Sequence, residues 1–275
     1  MANKKRKKIK FKDLPTSLKV QKLITWILTI IGVACLGYFA FYVNQASNTQ
    51  DNYERLASLK DTNFVQKKSN TVVMHLNGDE DAPDILDDYI TLYNNNKSFI
   101  GWIQIDDTLI DYPVMQSKSN DYYLNHNFNQ ESDNNGSIFI DSECSIWPRS
   151  QNIIIYGHNM KSGKMFGELK KDKQESFYED HQTIRFDTLY EKGRYQIMYV
   201  FSDIVYDEAE VAFKYYQFIN ANSKEEWDSA MNYMKSKSMY DTGYTAEYGD
   251  KIITLSTCDY QKDAERFVVV AKKIK

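Results

Sequence analysis

The run Ile252-Ile253-Thr254-Leu255-Ser256-Thr257-Cys258 reads as an apolar strand that ends on a cysteine, and Arg266 follows eight residues later at the head of a second apolar run. One hundred residues upstream, Asn152-Ile153-Ile154-Ile155-Tyr156-Gly157 is another strand-like run, and it ends on His158. A thiol, an imidazole and a guanidinium are the parts of a cysteine acyl-transferase. The thiolate attacks a carbonyl, the imidazole gives a proton to the departing amine, and the guanidinium neutralises the oxyanion formed between the two steps.

Each of these residues also has a plainer reading. Unpaired cysteines are commonly buried and inert, but Cys258 ends its strand next to Asp259 and a polar loop, which suits a rim position. His75, His126 and His181 lie in polar or weakly patterned surroundings; His158 alone follows a buried-type strand and a glycine. Arg266 has Asp259, Asp263 and Glu265 as alternative ion-pair partners, yet its permanent charge and forked donors suit an oxyanion. One His, one Cys and scattered carboxylates give no zinc spacing, so neither a metal nor another cofactor is expected.

The elements that must position these groups follow from texture. From Phe99 onward, short runs rich in Ile, Val, Tyr and Phe alternate with Asp, Asn, Ser and Gly clusters, which predicts strands over 99–105, 108–115, 136–141, 152–157, 183–189, 193–205, 250–257 and 266–273. Eight short strands suggest a mainly β fold closed, or nearly closed, into a barrel that leaves no exposed edge. In the long insert between the sixth and seventh strands, Ser223 with Glu226 three residues on forms a capping box, and Trp227, Met231 and Met234 recur at helical spacing. Ahead of the strands, Ala82-Pro83-Asp84 announces a helix through Ile85, Leu86, Tyr89, Ile90 and Tyr93. Asp51 to Lys60 has the composition of a stalk helix, preceded by a polar stretch from Asn44 to Gln50, and residues 64 to 81 read as a linker.

Thr254-Leu255-Ser256-Thr257-Cys258, Tyr156-Gly157-His158-Asn159-Met160 and Arg266 together resemble a sortase, and more narrowly a class B sortase. Further segments agree in order: Gly101-Trp102-Ile103, Asp111-Tyr112-Pro113-Val114, Asn120-Asp121-Tyr122-Tyr123-Leu124 and Gly136-Ser137-Ile138-Phe139-Ile140-Asp141, so the resemblance covers roughly residues 80 to 275. It implies an eight-stranded sortase-type β-barrel with a helix in the insert, in which the strands ending at His158 and Cys258 are parallel neighbours. It implies transpeptidation: Cys258 cleaves a C-terminal sorting motif of the Asn-Pro-x-Thr-(Asn or Gly/Ser) type after Thr, His158 protonates the leaving group, and an amine of a cell-wall precursor or a pilin resolves the thioester. It also implies a resting site with neutral thiol and neutral imidazole. Asn120, Ser256 and Asp259 are expected at the substrate, with Tyr156 and Tyr216 as groove walls; barrel packing is the alternative for tyrosines in a chain that has 21. The resemblance gives Cys144 no role and no reason to approach Cys258, so Cys144 is expected to be a free thiol rather than bridged to Cys258.

Leu23 to Val43 is an uncharged stretch of 21 residues, enough for a helix to cross a hydrocarbon core of about 30 Å. Residues 1 to 22 carry nine basic residues and one acidic, which predicts a cytoplasmic N-terminus and an extracellular remainder. A cleaved signal peptide is the rival reading, but its apolar region would be unusually long and no small-x-small site follows Val43. The chain's net charge is −4, so residues 23 to 275 carry −12 and offer no stripe for nucleic acid, while the basic tail suits anionic lipid. The expected organisation is a tail (1–22), a transmembrane helix (23–43), a stalk and linker (44–81) and a catalytic domain (82–275) of a single-pass enzyme of the Gram-positive cell surface.

Two other classes compete. A papain-like thiol protease, hydrolysing its thioester, usually places the cysteine before the histidine and near a helix N-terminus, the reverse of the order here. A membrane-anchored binding protein, or an inactive relative, is disfavoured by the intact His158, Cys258 and Arg266. Wall anchoring and pilin polymerisation remain open alternatives.

Overall fold

The computed structural model describes residues 15–60, 82–206, 210, 212–258 and 265–275. The chain forms two compact units, residues 1–54 and 55–275. In the first lies most of helix α1 (Thr16–Lys60). Its segment Thr16–Phe41 has a mean hydropathy of 2.1 over its most apolar stretch and is long enough to cross a membrane. Trp26, Leu36 and Tyr38 are exposed on it. The hydroxyls of Thr25 and Thr29 donate back to the carbonyls of Gln21 and Thr25 at 2.9 and 2.8 Å, so neither needs water. The polar stretch at 44–50 does not interrupt α1: it contains no Gly or Pro, and its Asn, Ser and Thr residues weaken a helix by only a few tenths of a kcal/mol each, roughly.

The second unit contains the eight expected strands: β1 (Phe99–Gln104), β2 (Asp111–Met115), β3 (Ile138–Ile140), β4 (Asn152–His158), β5 (Thr183–Thr188), β6 (Arg194–Ile204), β7 (Ile252–Cys258) and β8 (Glu265–Lys273). They close into a barrel in the order β1-β2-β3-β4-β7-β8-β6-β5. β2 starts three residues later than expected because Asp106 to Ile110 turn tightly, with Ile105 N–H donating to Ile110 O at 2.9 Å and Asp107 at φ 57°. Only β2/β3 and β4/β7 are parallel; the other pairs run antiparallel. A parallel pair needs a long crossover, and between β4 and β7 this is the whole stretch from Asn159 to Lys251, including α3 (Glu175–Asp180) and α4 (Lys224–Lys237).

Helix α2 (Asp87–Asn95) begins four residues after Pro83, not at it. Leu86 is extended, at φ −55° and ψ 134°, and its N–H donates to Leu189 O at 2.8 Å, so tertiary pairing holds the Pro83 segment straight. α4 forms as its capping box requires: Ser223 Oγ accepts from Glu226 N–H at 3.2 Å. Trp227, Ala230, Met231 and Met234 on its buried face join Phe201, Tyr215, Phe218, Ile252, Val268 and Val270 in one cluster. The linker expected at 64–81 lies outside the described residues.

Candidate active site

β4 and β7 are buried along both faces, which explains their nearly unbroken apolar runs. Their parallel register is Asn152↔Ile252, Ile154↔Thr254, Tyr156↔Ser256 and His158↔Cys258, so histidine and cysteine positions end adjacent strands side by side, about 4.8 Å apart in the pairing direction. Side chains alternate along a strand. Ile252, Thr254 and Ser256 form one row, and Asn152, Ile154, Tyr156 and His158 the matching row. The covering segment ahead of α4 meets these rows: Tyr215 OH and Ser256 Oγ are 2.9 Å apart, and Asn152 Nδ2 donates to Phe218 O at 2.7 Å. Position 258 is the next in that row.

His158 is buried, at 6 % exposure, and fixed at two points. Its carbonyl accepts Phe166 N–H at 2.9 Å, and its Nε2 lies 2.7 Å from Leu124 O. A carbonyl oxygen only accepts, so in this contact Nε2 carries the hydrogen. The chain after His158 is folded back by the Asn159↔Met165 bridge and by Met165 N–H on Tyr112 OH at 3.1 Å, with Met165 held at φ 54°. A non-glycine residue seldom takes that conformation.

β8 lies antiparallel to β7, paired from Ile252↔Lys272 to Ser256↔Val268, so Arg266 stands two residues beyond the last pair on the strand that adjoins the one ending at Cys258. Arg266 is half-buried and its Nη1 donates to Glu265 O at 3.2 Å. Thus residues far apart in sequence stand at the ends of three neighbouring strands. The backbone also arranges the expected substrate residues. Asn120 Nδ2 and Tyr156 OH both donate to Asp141 Oδ2 at 2.9 Å, while Asn120 Oδ1 accepts Ser142 N–H at 2.8 Å. Ser256 is fully buried. Tyr216 OH accepts Tyr206 N–H at 3.1 Å and donates to Tyr206 O at 3.2 Å. Asp259 lies outside the described residues.

Three contributors escaped the sequence reading. Asp141 joins Asn120 to Tyr156, and Leu124 orients the histidine; both stand within quoted segments, but the partners that give them work are 15 to 34 residues away. Tyr215, next to the expected Tyr216, is the tyrosine that reaches β7. Cys144 is a free cysteine, buried at 4 % exposure. Its sulfur accepts Ile154 N–H at 3.4 Å and donates to Asn152 O at 3.6 Å, and burial pushes its thiol up to about 12. Ile154 stands four residues before His158, about 13 Å along the strand, so Cys144 belongs to the other end of β4. Among the described residues no three His, Cys, Asp or Glu side chains converge as metal ligands would.

A model of the Sortase domain matches residues 103–274. Sortase B of Listeria monocytogenes is 32 % identical over 263 residues, covering 94 % of this chain and 99 % of its own. A solved Staphylococcus aureus sortase B–substrate complex superposes with a TM-score of 0.70 at 29 % identity, over 84 % of this chain and 98 % of that one. A sortase B complexed with triglycine does so with a TM-score of 0.70 at 29 % identity, over 84 % and 99 % of the two chains.

Proposed function

From the premise that this chain belongs to the sortase family, and within it to class B, we propose that it is a membrane-anchored cysteine transpeptidase that cleaves a sorting motif after Thr and passes the acyl group to an amine. The observation that carries this reading is the His158↔Cys258 register pair, with Arg266 on the adjoining strand. Cys258 is the nucleophile. Its thiolate attacks the Thr carbonyl, Arg266 stabilises the oxyanion, and His158 delivers a proton from Nδ1 to the departing amine, since Nε2 is committed to Leu124 O. A thioester remains. An incoming amine then loses a proton to Nδ1 and displaces the thiol, exchanging one amide for another without ATP.

The substrate class is an extended peptide of the Asn-Pro-x-Thr-(Asn or Gly/Ser) type on a surface protein, accepted along the strands ending at His158 and Cys258. Tyr156, Tyr216, Asn120, Ser256 and Asp259 remain the residues proposed to shape that groove, Ser256 through Tyr215 and Asn120 through Asp141. A relative solved with substrate and one solved with triglycine support a peptide donor and a glycine-type amine acceptor. The apolar part of α1 supports anchoring in the cell membrane, and the basic tail before it supports a cytoplasmic N-terminus.

Mass spectrometry of products from a motif-peptide panel, with and without triglycine or a diamino acid, tests the proposal. Cleavage after Thr, an amine adduct and no turnover by Cys258→Ala are expected. Free acid as the sole product in the presence of strong amines supports a hydrolytic peptidase instead, and a panel left untouched rejects the motif class.

A further inference from the structure

We propose that Asp141 is a positioning residue that fixes the hydrogen-bond polarity of the peptide groove, making Tyr156 an acceptor and Asn120 a donor toward the substrate. The proposal rests on the reading of Asn120 and Tyr156 as groove residues. Asp141 directly follows β3, and its N–H extends the pairing with β4 by donating to Ile154 O at 2.9 Å. It is buried, at 4 % exposure, and its two carboxylate oxygens have separate tasks. Oδ1 accepts Glu143 N–H at 2.9 Å while the Asp141 carbonyl accepts Cys144 N–H at 3.0 Å, so the side chain is locked into the turn that it begins. Oδ2 accepts from Asn120 Nδ2 and from Tyr156 OH, both at 2.9 Å. The turn therefore holds in place the one oxygen that both groove residues share.

A carboxylate oxygen only accepts, so both neighbours must donate to it. Asn120 has one possible amide orientation: Ser142 N–H donates to its Oδ1 at 2.8 Å, which turns Nδ2 to Asp141 and leaves the second Nδ2 hydrogen as a donor. Tyr156 commits its single hydrogen to Asp141, so toward every other neighbour its oxygen acts as an acceptor. Both side chains are only half-buried and keep surface for a ligand. Tyr156 also stands two residues before His158 on the row of β4 that ends at the histidine. A peptide passing these residues is read by a complementary pattern, an N–H for Tyr156 and a carbonyl for Asn120. A phenol with a neutral partner could turn to donate or accept. A charged acceptor removes that freedom, because its bond is roughly twice as strong as a neutral one, and a peptide offering the wrong group then meets an unmatched partner.

The test uses the full-length protein in detergent and the motif peptide that the parent enzyme cleaves. In Asp141→Asn the amide oxygen keeps the turn bond and an NH2 group replaces Oδ2, so the groove half alone is inverted. The thermal midpoint is expected within a few degrees of the parent, roughly. KM should rise roughly tenfold with kcat within about twofold, since His158 and Cys258 are untouched. In a Tyr156→Phe background the same substitution should raise KM by a smaller factor, because one of the two residues it acts through is gone. An unchanged KM in Asp141→Asn, a loss confined to kcat, or an equal factor in both backgrounds overturns the proposal. An unchanged KM in Tyr156→Phe alone instead overturns the placing of Tyr156 in the groove, and the proposal falls with it. Should Asp141→Asn fail to fold, a fluorinated tyrosine at position 156 replaces it. Its phenol is a stronger donor and a weaker acceptor, so a two- to threefold rise in KM, roughly, is expected, and an unchanged or lower KM overturns the proposal.

Discussion

At Asp172, in the 3-10 turn Glu168–Lys173, burial to 2 % exposure leaves Oδ1 without a hydrogen-bond donor among the described residues. Desolvation penalises the charged form and raises the carboxyl to about 7. Asp141, similarly buried, differs in receiving donors from Asn120, Tyr156 and Glu143 N–H. Because the folded acid at Asp172 keeps its proton to about pH 7 while the unfolded one loses it near 3.8, the unfolded state binds fewer protons in between. Stability is thus highest below the unfolded value, falls as pH rises toward 7, and is level above it. The contribution lost is on the order of 4 kcal/mol. Urea unfolding at pH 4.5 and pH 8 should show a much smaller difference between the two pH values in Asp172→Asn, whose amide mimics the neutral acid, than in the parent. Equal pH dependence in the two proteins refutes the assignment.

The β4 strand shows how an element constrains the residue at its end. Gly157 precedes His158, and a Cβ there would meet Ile138 Cδ1 and lie 2.8 Å from Phe166 Cδ2. Ile138 and Phe166 are fully buried, and the Phe166 N–H holds the His158 carbonyl. Gly157→Ala is therefore expected to cost roughly 1–3 kcal/mol through overpacking. It should also lower kcat by about tenfold, because Phe166 cannot yield without moving His158. Thermal melts and steady-state kinetics on the one variant check both halves; an active, destabilised protein would show that the histidine is positioned independently of this contact. α4 is the opposite case, an element set locally: its cap, its length and its buried face are all present in Ser223, Glu226, Trp227, Met231 and Met234. α2 is not, since the bond from Leu86 to Leu189 that delays its start joins residues a hundred apart.

For the whole molecule, the charge balance of residues 1 to 22 carries the proposed membrane orientation. Nine basic residues against one acidic support the proposed orientation, with the tail inside and the acidic remainder outside. In intact cells, an N-terminal tag is expected to resist added protease and a C-terminal tag to be cleaved. The reverse pattern would reject the extracellular placement of the barrel and with it access to surface proteins.

Local information was enough for the eight strands and for α4, because hydrophobic alternation and capping act within a few residues, and the thiol, imidazole and guanidinium proposed to act are legible as residue types near strand ends. Even the helix start expected at Pro83 erred only at a boundary. Which strand ends meet was another matter. The parallel pairing of β4 with β7 across nearly a hundred residues, the carbonyl of Leu124 that selects the histidine tautomer and the Asp141 link between Asn120 and Tyr156 all depend on barrel closure. No local pattern encodes them, because each energy term belongs to two segments at once and exists only when the sheet has closed on itself.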